Sequence, residues 1–483
     1  AERAKEIGVR KINGAGRSQL IVQFLGESLL QCGMAGIAAL LISSAVLPLF
    51  NQLAGKTIAQ NIFQHGQFGW LVLASISLGL LAGMYPAIVL SSLRPAQVLK
   101  GQLASGSKGV GLRRILVVGQ FTIAIMLMAG TLIVYRQVHF MVHQPLGFDK
   151  ENMLVIDYRD QGDPRIVRFQ QALTGVPGIR SSSLSSSLPG YEPDVVYSQL
   201  EDRSGAMQTA DLDAYFVDVD FLTQYQIPLV AGRGFSRDYP TDCPNAMVIN
   251  EAAVAKLGYG SAKEAIGKRF SQQREGLIIG VVKDFHFQSL QQAIQPLTLR
   301  IEPNGLRCHL LAIHVAPRRV DMARVEQLWD QYFPERPFTF TYLQDSVDRQ
   351  YDADQRLGQL CLYLSILAIV ISCLGLLGLS SYSTLVRTKE IGIRKVFGAS
   401  VTSIVRRLTR DFVRWVAVAF LVATPIAWYT MHQWLRHFAY QAPIGWGIYV
   451  SAGMLAVLIA SLTVSVQAIK AARANPLRCL RTE

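Results

Sequence analysis

Six long apolar runs constrain this chain more than any other feature. They lie at roughly 26–50, 68–93, 115–135, 358–385, 412–432 and 446–469. Each reaches the ~20 residues that a helix needs to cross a bilayer core. Their only charged residues are Glu27 and Arg414, each close to the start of its run. Helices buried in a soluble core seldom run so long with so little charge. The pattern predicts an α-helical multi-pass membrane protein with six spans.

Charge placement orients the spans. Basic residues cluster in alternate loops: Arg3, Lys5, Arg10, Lys11 and Arg17 before the first run, Arg94 to Arg114 after the second, Arg387 to Arg410 after the fourth, and Lys470 to Arg481 after the sixth. The positive-inside rule puts these loops and both termini in the cytoplasm, and 137–355 outside. Residues 137–355 hold 21 Lys+Arg and 28 Asp+Glu, a net of −7, whereas the whole chain is +13. The basic balance therefore reports topology, and nucleic acid is not an expected partner. The chain opens on Ala1 with a segment already cytoplasmic, without a signal peptide, which suggests an N-terminally truncated chain.

A charged segment occurs twice. Arg3 to Gly16 reads RAKEIGVRKINGAG, and Arg387 to Ser400 reads RTKEIGIRKVFGAS, at an offset of 384. A second echo, at an offset of 381, relates Ala87, Ile88, Pro95 and Leu99 to Ala468, Ile469, Pro476 and Leu480. The repeated unit is thus a charged segment, a span, a short outer loop, a span and a Pro-containing cytoplasmic stretch. The second copy is preceded by a span, a large outer domain and another span. A matching set before Ala1 would be the counterpart, a second reason to expect truncation.

As a helix, KEIGIRK places Lys389, Ile393 and Val396 towards one side and Glu390, Arg394 and Phe397 towards another. Glu390 and Arg394 form a favourably ordered i, i+4 pair, and Gly398 offers a C-terminal stop. Basic residues at headgroups explain Arg387 and Lys389. A duplicated docking surface explains the repeated Glu-Ile-Gly-x-Arg-Lys-x-x-Gly better.

The outer domain reads as mixed α/β with two lobes, the inserted lobe at about 190–300. Strands are expected at 152–158, 309–315 and 338–343, and helices at 164–173 and 319–333. Residues 344–357 read as a polar helix leading into the fourth span. No strong catalytic or metal signature appears. Arg269 follows Lys268 where a phosphate loop needs Ser or Thr. His139 and His143 have helical metal spacing without a third ligand. Lys283, Asp284 and His286 lack a nucleophile motif. Cys243 and Cys308 are the only cysteines of the outer domain, equally consistent with a pair or two thiols. The spans lack the buried ionisable chain expected of an ion-driven pump.

The twin segments closely resemble the signature of FtsX-type permeases of the MacB-like ABC transporter superfamily. NPLRCLR and RPAQVLKG resemble that family's segment after its last span. YFVDVDFLTQYQIPLVAGRGFSRD, INEAAVAKLGYGSAKEAIGKRF and VVKDFHFQSL resemble its periplasmic core domain. The double set is similar to the long members with eight spans and two outer domains. The resemblance implies a non-catalytic permease subunit in the bacterial inner membrane. A separate cytoplasmic ATPase dimer, which binds the ATP and Mg, would dock around Glu6, Arg10, Lys11 and Gly14 and around Glu390, Arg394, Lys395 and Gly398. Its action would move the periplasmic domain, for export or extraction at the outer face. A periplasmic adaptor or substrate protein and membrane lipids complete the implied partners; no cofactor is expected in this chain. The alternative is a membrane-anchored receptor or scaffold.

The expected organisation is a cytoplasmic coupling segment at 1–25, two spans and a loop at 26–114, and a span or stalk at 115–136. A periplasmic domain at 137–357 follows, then a three-span permease domain at 358–483 with its coupling segment at 386–411.

Overall fold

The computed structural model describes residues 10–55, 67–91, 107–158, 162–272, 274–301, 307–316 and 320–472. The chain forms two compact units. One contains residues 1–131, 358–427 and 446–483; the other contains 132–357 and 428–445.

The first unit is helical. Its elements are α1 (Arg17–Ala54), α2 (Gln67–Ser91), the larger part of α3 (Ser107–His143), most of α9 (Asp352–Val386), the short α10 (Thr388–Val396), most of α11 (Val401–Leu435) and α12 (Gly447–Ala472). Five of these, α1, α3, α9, α11 and α12, are long and apolar enough to span a membrane. The run expected at 68–93 falls on α2, whose described apolar stretch, Gly69–Met84, is shorter.

Close packing relies on small and hydroxyl residues, as it does where lipid provides no hydrophobic drive between helices. Thr131 Oγ1 and Ser365 Oγ lie 2.9 Å apart between α3 and α9. A Cβ on Gly453 of α12 would come within 2.5 Å of the Phe420 ring of α11. The two hairpins share a seam. In α1–α2 it is Leu20, Phe24 and Ala87; in α11–α12 it is Ile404, Leu408 and Ala468, joined by Ile391 of α10. These positions correspond at the 384 and 381 offsets of the repeat.

The second unit is built on one eleven-stranded sheet. Strands β1 (Met153–Asp157), β10 (Leu310–Val315), β2 (Ile179–Ser185) and the two-residue β11 (Thr341–Tyr342) pair antiparallel. The amphipathic helices α4 (Pro164–Leu173) and α7 (Met322–Tyr332) cover this part. Phe169, Leu173, Val325 and Trp329 pack on Leu154, Ile156, Leu311 and Ile313. Asp163 and Asp321 cap the two helices by accepting from Arg165 N and Arg324 N.

The other strands are β3 (Asp194–Glu201), β4 (Met207–Val217), β5 (Leu229–Gly232), β6 (Ala246–Asn250), β7 (Arg269–Gln272), β8 (Arg274–Val282) and β9 (Leu297–Ile301). The order β4-β3-β7-β8-β6-β9 closes on itself through parallel pairing of β9 with β4. β5 lies against β8. Short helices α5 (Phe221–Gln224) and α6 (Glu251–Lys256) decorate this ring. A single register pair, Ser185 with Val217, joins the ring to the β1–β10–β2 sheet. Asp218, one residue on, reinforces that junction by accepting from Leu184 N, Ser183 Oγ and Gln170 Nε2. Burial pushes its carboxyl up to about 6.

The strand expected over 338–343 shrinks to β11, and the expected polar helix at 344–357 is broken. It appears as α8 (Leu343–Arg349) and the start of α9, with Gln350 and Tyr351 between them.

Candidate functional site

The duplicated segment is a helix end closed by glycine in both copies. Residues 10–12 are helical. Gly14 N donates to Lys11 O at 3.2 Å and Ala15 N to Arg10 O at 3.0 Å. In the second copy Gly398 N donates to Lys395 O at 3.1 Å and Ala399 N to Arg394 O at 2.9 Å. Gly14 and Gly398 have φ of 92° and 81°, the left-handed conformation that such a stop requires and that glycine adopts without a Cβ penalty. Glu6 lies outside the described residues.

In α10 the expected ion pair is present: Arg394 Nη2 lies 3.0 Å from Glu390 Oε1. Arg387, just before the helix, reaches Asp411 of α11 at 3.0 Å. Ile391 is buried on the seam. One face and one tether thus fix α10 to the start of the α11–α12 hairpin. Three apolar side chains of this segment are exposed. Ile393, Val396 and Phe397 are 49 %, 65 % and 85 % exposed. In the first copy, Arg10 donates to Gln23 at 2.8 Å, and Lys11 Nζ reaches Ser91 O at the end of α2 at 2.6 Å. The structure therefore places Glu390, Arg394, Lys395 and Gly398 on one short element, and Arg10, Lys11 and Gly14 on its counterpart.

Two participants escape a sequence reading. Phe397 occupies a face that periodicity assigns, yet only the structure reveals its exposure. Asp411 is the one acid among the basic residues Arg406, Arg407, Arg410 and Arg414, a signal that could have pointed to an internal partner. A cavity of about 490 Å³ adjoins it, lined among others by Arg114, Arg387, Asp411 and Trp415. The Arg114 guanidinium stacks over Trp415 at 5.0 Å.

The weaker candidates find structural roles. Lys268 pairs with Glu201 at 3.0 Å. His139 and His143 stack at 4.0 Å, and no cluster of three metal-binding side chains exists among the described residues. Asp284 accepts from Ala252 N at the start of α6, and its burial raises its pKa. His286 sits edge-on to Tyr440, and burial lowers its pKa. Cys243 and Cys308 are separate thiols.

Span-length helices around a duplicated basic segment, with an inserted α/β domain, define a polytopic membrane protein. The model of the FtsX-like permease C-terminal domain matches residues 1–95 and 362–476, the two repeat copies. These two stretches, 210 of the 483 residues, are similar to FtsX-like permeases. The chain is 34 % identical over 98 residues to the macrolide export ATP-binding/permease protein MacB of Agrobacterium fabrum, 20 % of this chain and 15 % of that one. It is 37 % identical over 102 residues to the MacB of Chlorobium luteolum, 20 % of this chain and 14 % of that one. The matched stretch thus spans about 15 % of the length of these relatives. The periplasmic region of MacB from Actinobacillus actinomycetemcomitans aligns over 44 % of this chain and 97 % of its own, at 12 % identity and a TM-score of 0.32. The extracellular domain of the noncanonic ABC-type transporter YknZ from Gram-positive bacteria aligns over 38 % and 95 %, at 13 % identity and a TM-score of 0.27.

Proposed function

We propose that this chain is the membrane subunit of an ABC transporter, and that a separate cytoplasmic ATPase dimer docks on α10 and on its counterpart at 10–16. ATP-driven movement of the spans would then reshape the inserted domain on the periplasmic side, for export or extraction of a substrate at the outer face of the inner membrane. ATP and Mg belong to the partner in this reading. A periplasmic adaptor or substrate protein would meet the inserted domain.

The observation that carries the reading is the exposed apolar group of Ile393, Val396 and Phe397 at the end of α10. An 85 %-exposed phenylalanine beside exposed Ile393 and Val396 is a costly surface to present to water. It has the character of an interface anchor: an aromatic knob rimmed by the charged groups of Glu390, Arg394 and Lys395. The basic loops support a cytoplasmic placement. The names of the MacB relatives, which join ATP binding to a permease, support the class of partner.

The test is co-purification of the intact chain from its native membrane. A P-loop ATPase should accompany the wild type and be lost from Phe397→Glu, with the variant still inserted and folded. A chain that never retains an ATPase, or that retains it equally with Phe397→Glu, overturns the docking site.

A further inference from the structure

The segment Asp284 to Gln291, sequence DFHFQSLQ, is tied to several helix ends at once. After α3, Leu146 O accepts from His286 N at 2.8 Å. Gly147 (φ 86°) lies so close that a Cβ there would meet the Phe285 Cα at 3.1 Å. At the start of α9, the Tyr351 hydroxyl accepts from Leu290 N at 3.3 Å, and Asp354 accepts from the Gln291 side chain at 2.7 Å. After α11, Ala439 N donates to Gln291 O at 3.0 Å, and the Tyr440 ring meets His286 at 4.7 Å. Phe285, Phe287, Leu290, Tyr351 and Phe438 share one buried core.

The loop after α11 is held from its other side by one residue. Gln137 of α3 is fully buried. Its Nε2 donates to Tyr440 O at 2.8 Å, and its Oε1 accepts from Ala442 N at 2.8 Å. Both ends of the amide are spent on the backbone of a loop some 300 residues away. A buried amide with each end paired fixes a single register, because any slip leaves two buried polar groups unsatisfied.

The geometry points to segment 284–291 as a joint that binds the ends of α3, α9 and α11 into one body, with Gln137 as the positioning residue that clamps the α11–α12 loop into it. The consequence is a relay. Four residues separate α10 from α11, so a push on α10 would pass to α11, whose far end leads into the clamped loop. The relay rests on the docking reading; the joint does not.

The experiment is hydrogen exchange on the intact chain in nanodiscs, alone and with its co-purified ATPase and ATP. For the chain alone, Gln137→Ala should speed exchange of the amides at 438–442 and at 286–291 at least tenfold over wild type. Unchanged exchange at 286–291 overturns the joint. With ATPase and ATP, wild type should show a nucleotide-dependent change at 286–291. Gln137→Ala should reduce it at least threefold while hydrolysis continues at the wild-type rate. A full response in the variant overturns the relay. If wild type binds no ATPase, the docking reading and the relay fall together, and the first comparison still decides the joint. Gln137→Glu, which keeps the acceptor for Ala442 N and loses the donor to Tyr440 O, serves if the alanine variant does not fold. Faster exchange there at 438–442 and 286–291 supports the joint, and no change overturns it.

Discussion

The two repeat copies are the same device with different tips. Their seams superpose residue for residue in sequence: Leu20, Phe24 and Ala87 against Ile404, Leu408 and Ala468. Their glycine stops make the same pair of backbone bonds. At the position before each glycine they part. Phe397 stands almost fully exposed, whereas its counterpart is the polar Asn13. The surroundings differ as well. The most apolar stretch of α1 has none of its residues buried, against 28 % for that of α11. Duplication has preserved what folds the hairpin and released what the tip presents. If both tips meet an ATPase dimer, a symmetric partner meets an asymmetric pair of contacts, with the aromatic anchor on one side only.

That asymmetry can be broken. Phe397→Asn makes the second tip like the first and should weaken ATPase binding by about 2 kcal/mol or more, roughly thirtyfold, in a titration of purified partner. Asn13→Ala should change it by less than about threefold. Comparable losses from both would show that the tips act alike. The shared seam gives the next largest effect. Ala87→Leu and Ala468→Leu each overfill a buried position and should cost about 1–3 kcal/mol of stability, seen as lower unfolding temperatures. A loss at one copy alone would deny their equivalence.

The inserted domain carries a buried carboxyl, Asp218, at the junction of its two sheet regions. The Asp218 carboxyl titrates at about 6 in the folded domain, above its usual range, because burial penalises its charged form. The folded state therefore holds a proton that the unfolded state has released between about pH 4 and 6. Stability falls as pH rises through that window, by at most about 3 kcal/mol, and levels off above it. Asp218→Asn should flatten the slope in pH-dependent melting; an unchanged slope would assign it elsewhere. Smallest of all, Glu390→Gln removes an exposed i, i+4 pair and should cost about 0.5 kcal/mol or less in stability. A larger loss would give the pair a structural role that its exposure argues against.

What could be read in advance divides by range. The Glu390–Arg394 pair and the glycine stops depend on residues three or four apart, so the sequence carries them. The strands and helices at 152–158, 164–173 and 309–315 follow their periodicity onto β1, α4 and β10. The long-range features were not legible. Gln137 reads as one polar residue at a span's end, and only the fold brings Tyr440 to it. The break at Gln350 and Tyr351 is likewise tertiary: Tyr351 is buried and its hydroxyl serves Leu290, which halts a helix that local pattern would continue.

The uninterrupted length of α3 has a mechanical consequence. Its 37 residues make a rod of about 55 Å, nearly twice the ~30 Å hydrocarbon core. A rod pivoting in a membrane is a lever. Tilting it by about 5° about one end sweeps the other through roughly 5 Å, one helical turn's rise. If the proposed docking rocks this rod at one end, a displacement of molecular size would follow at the other.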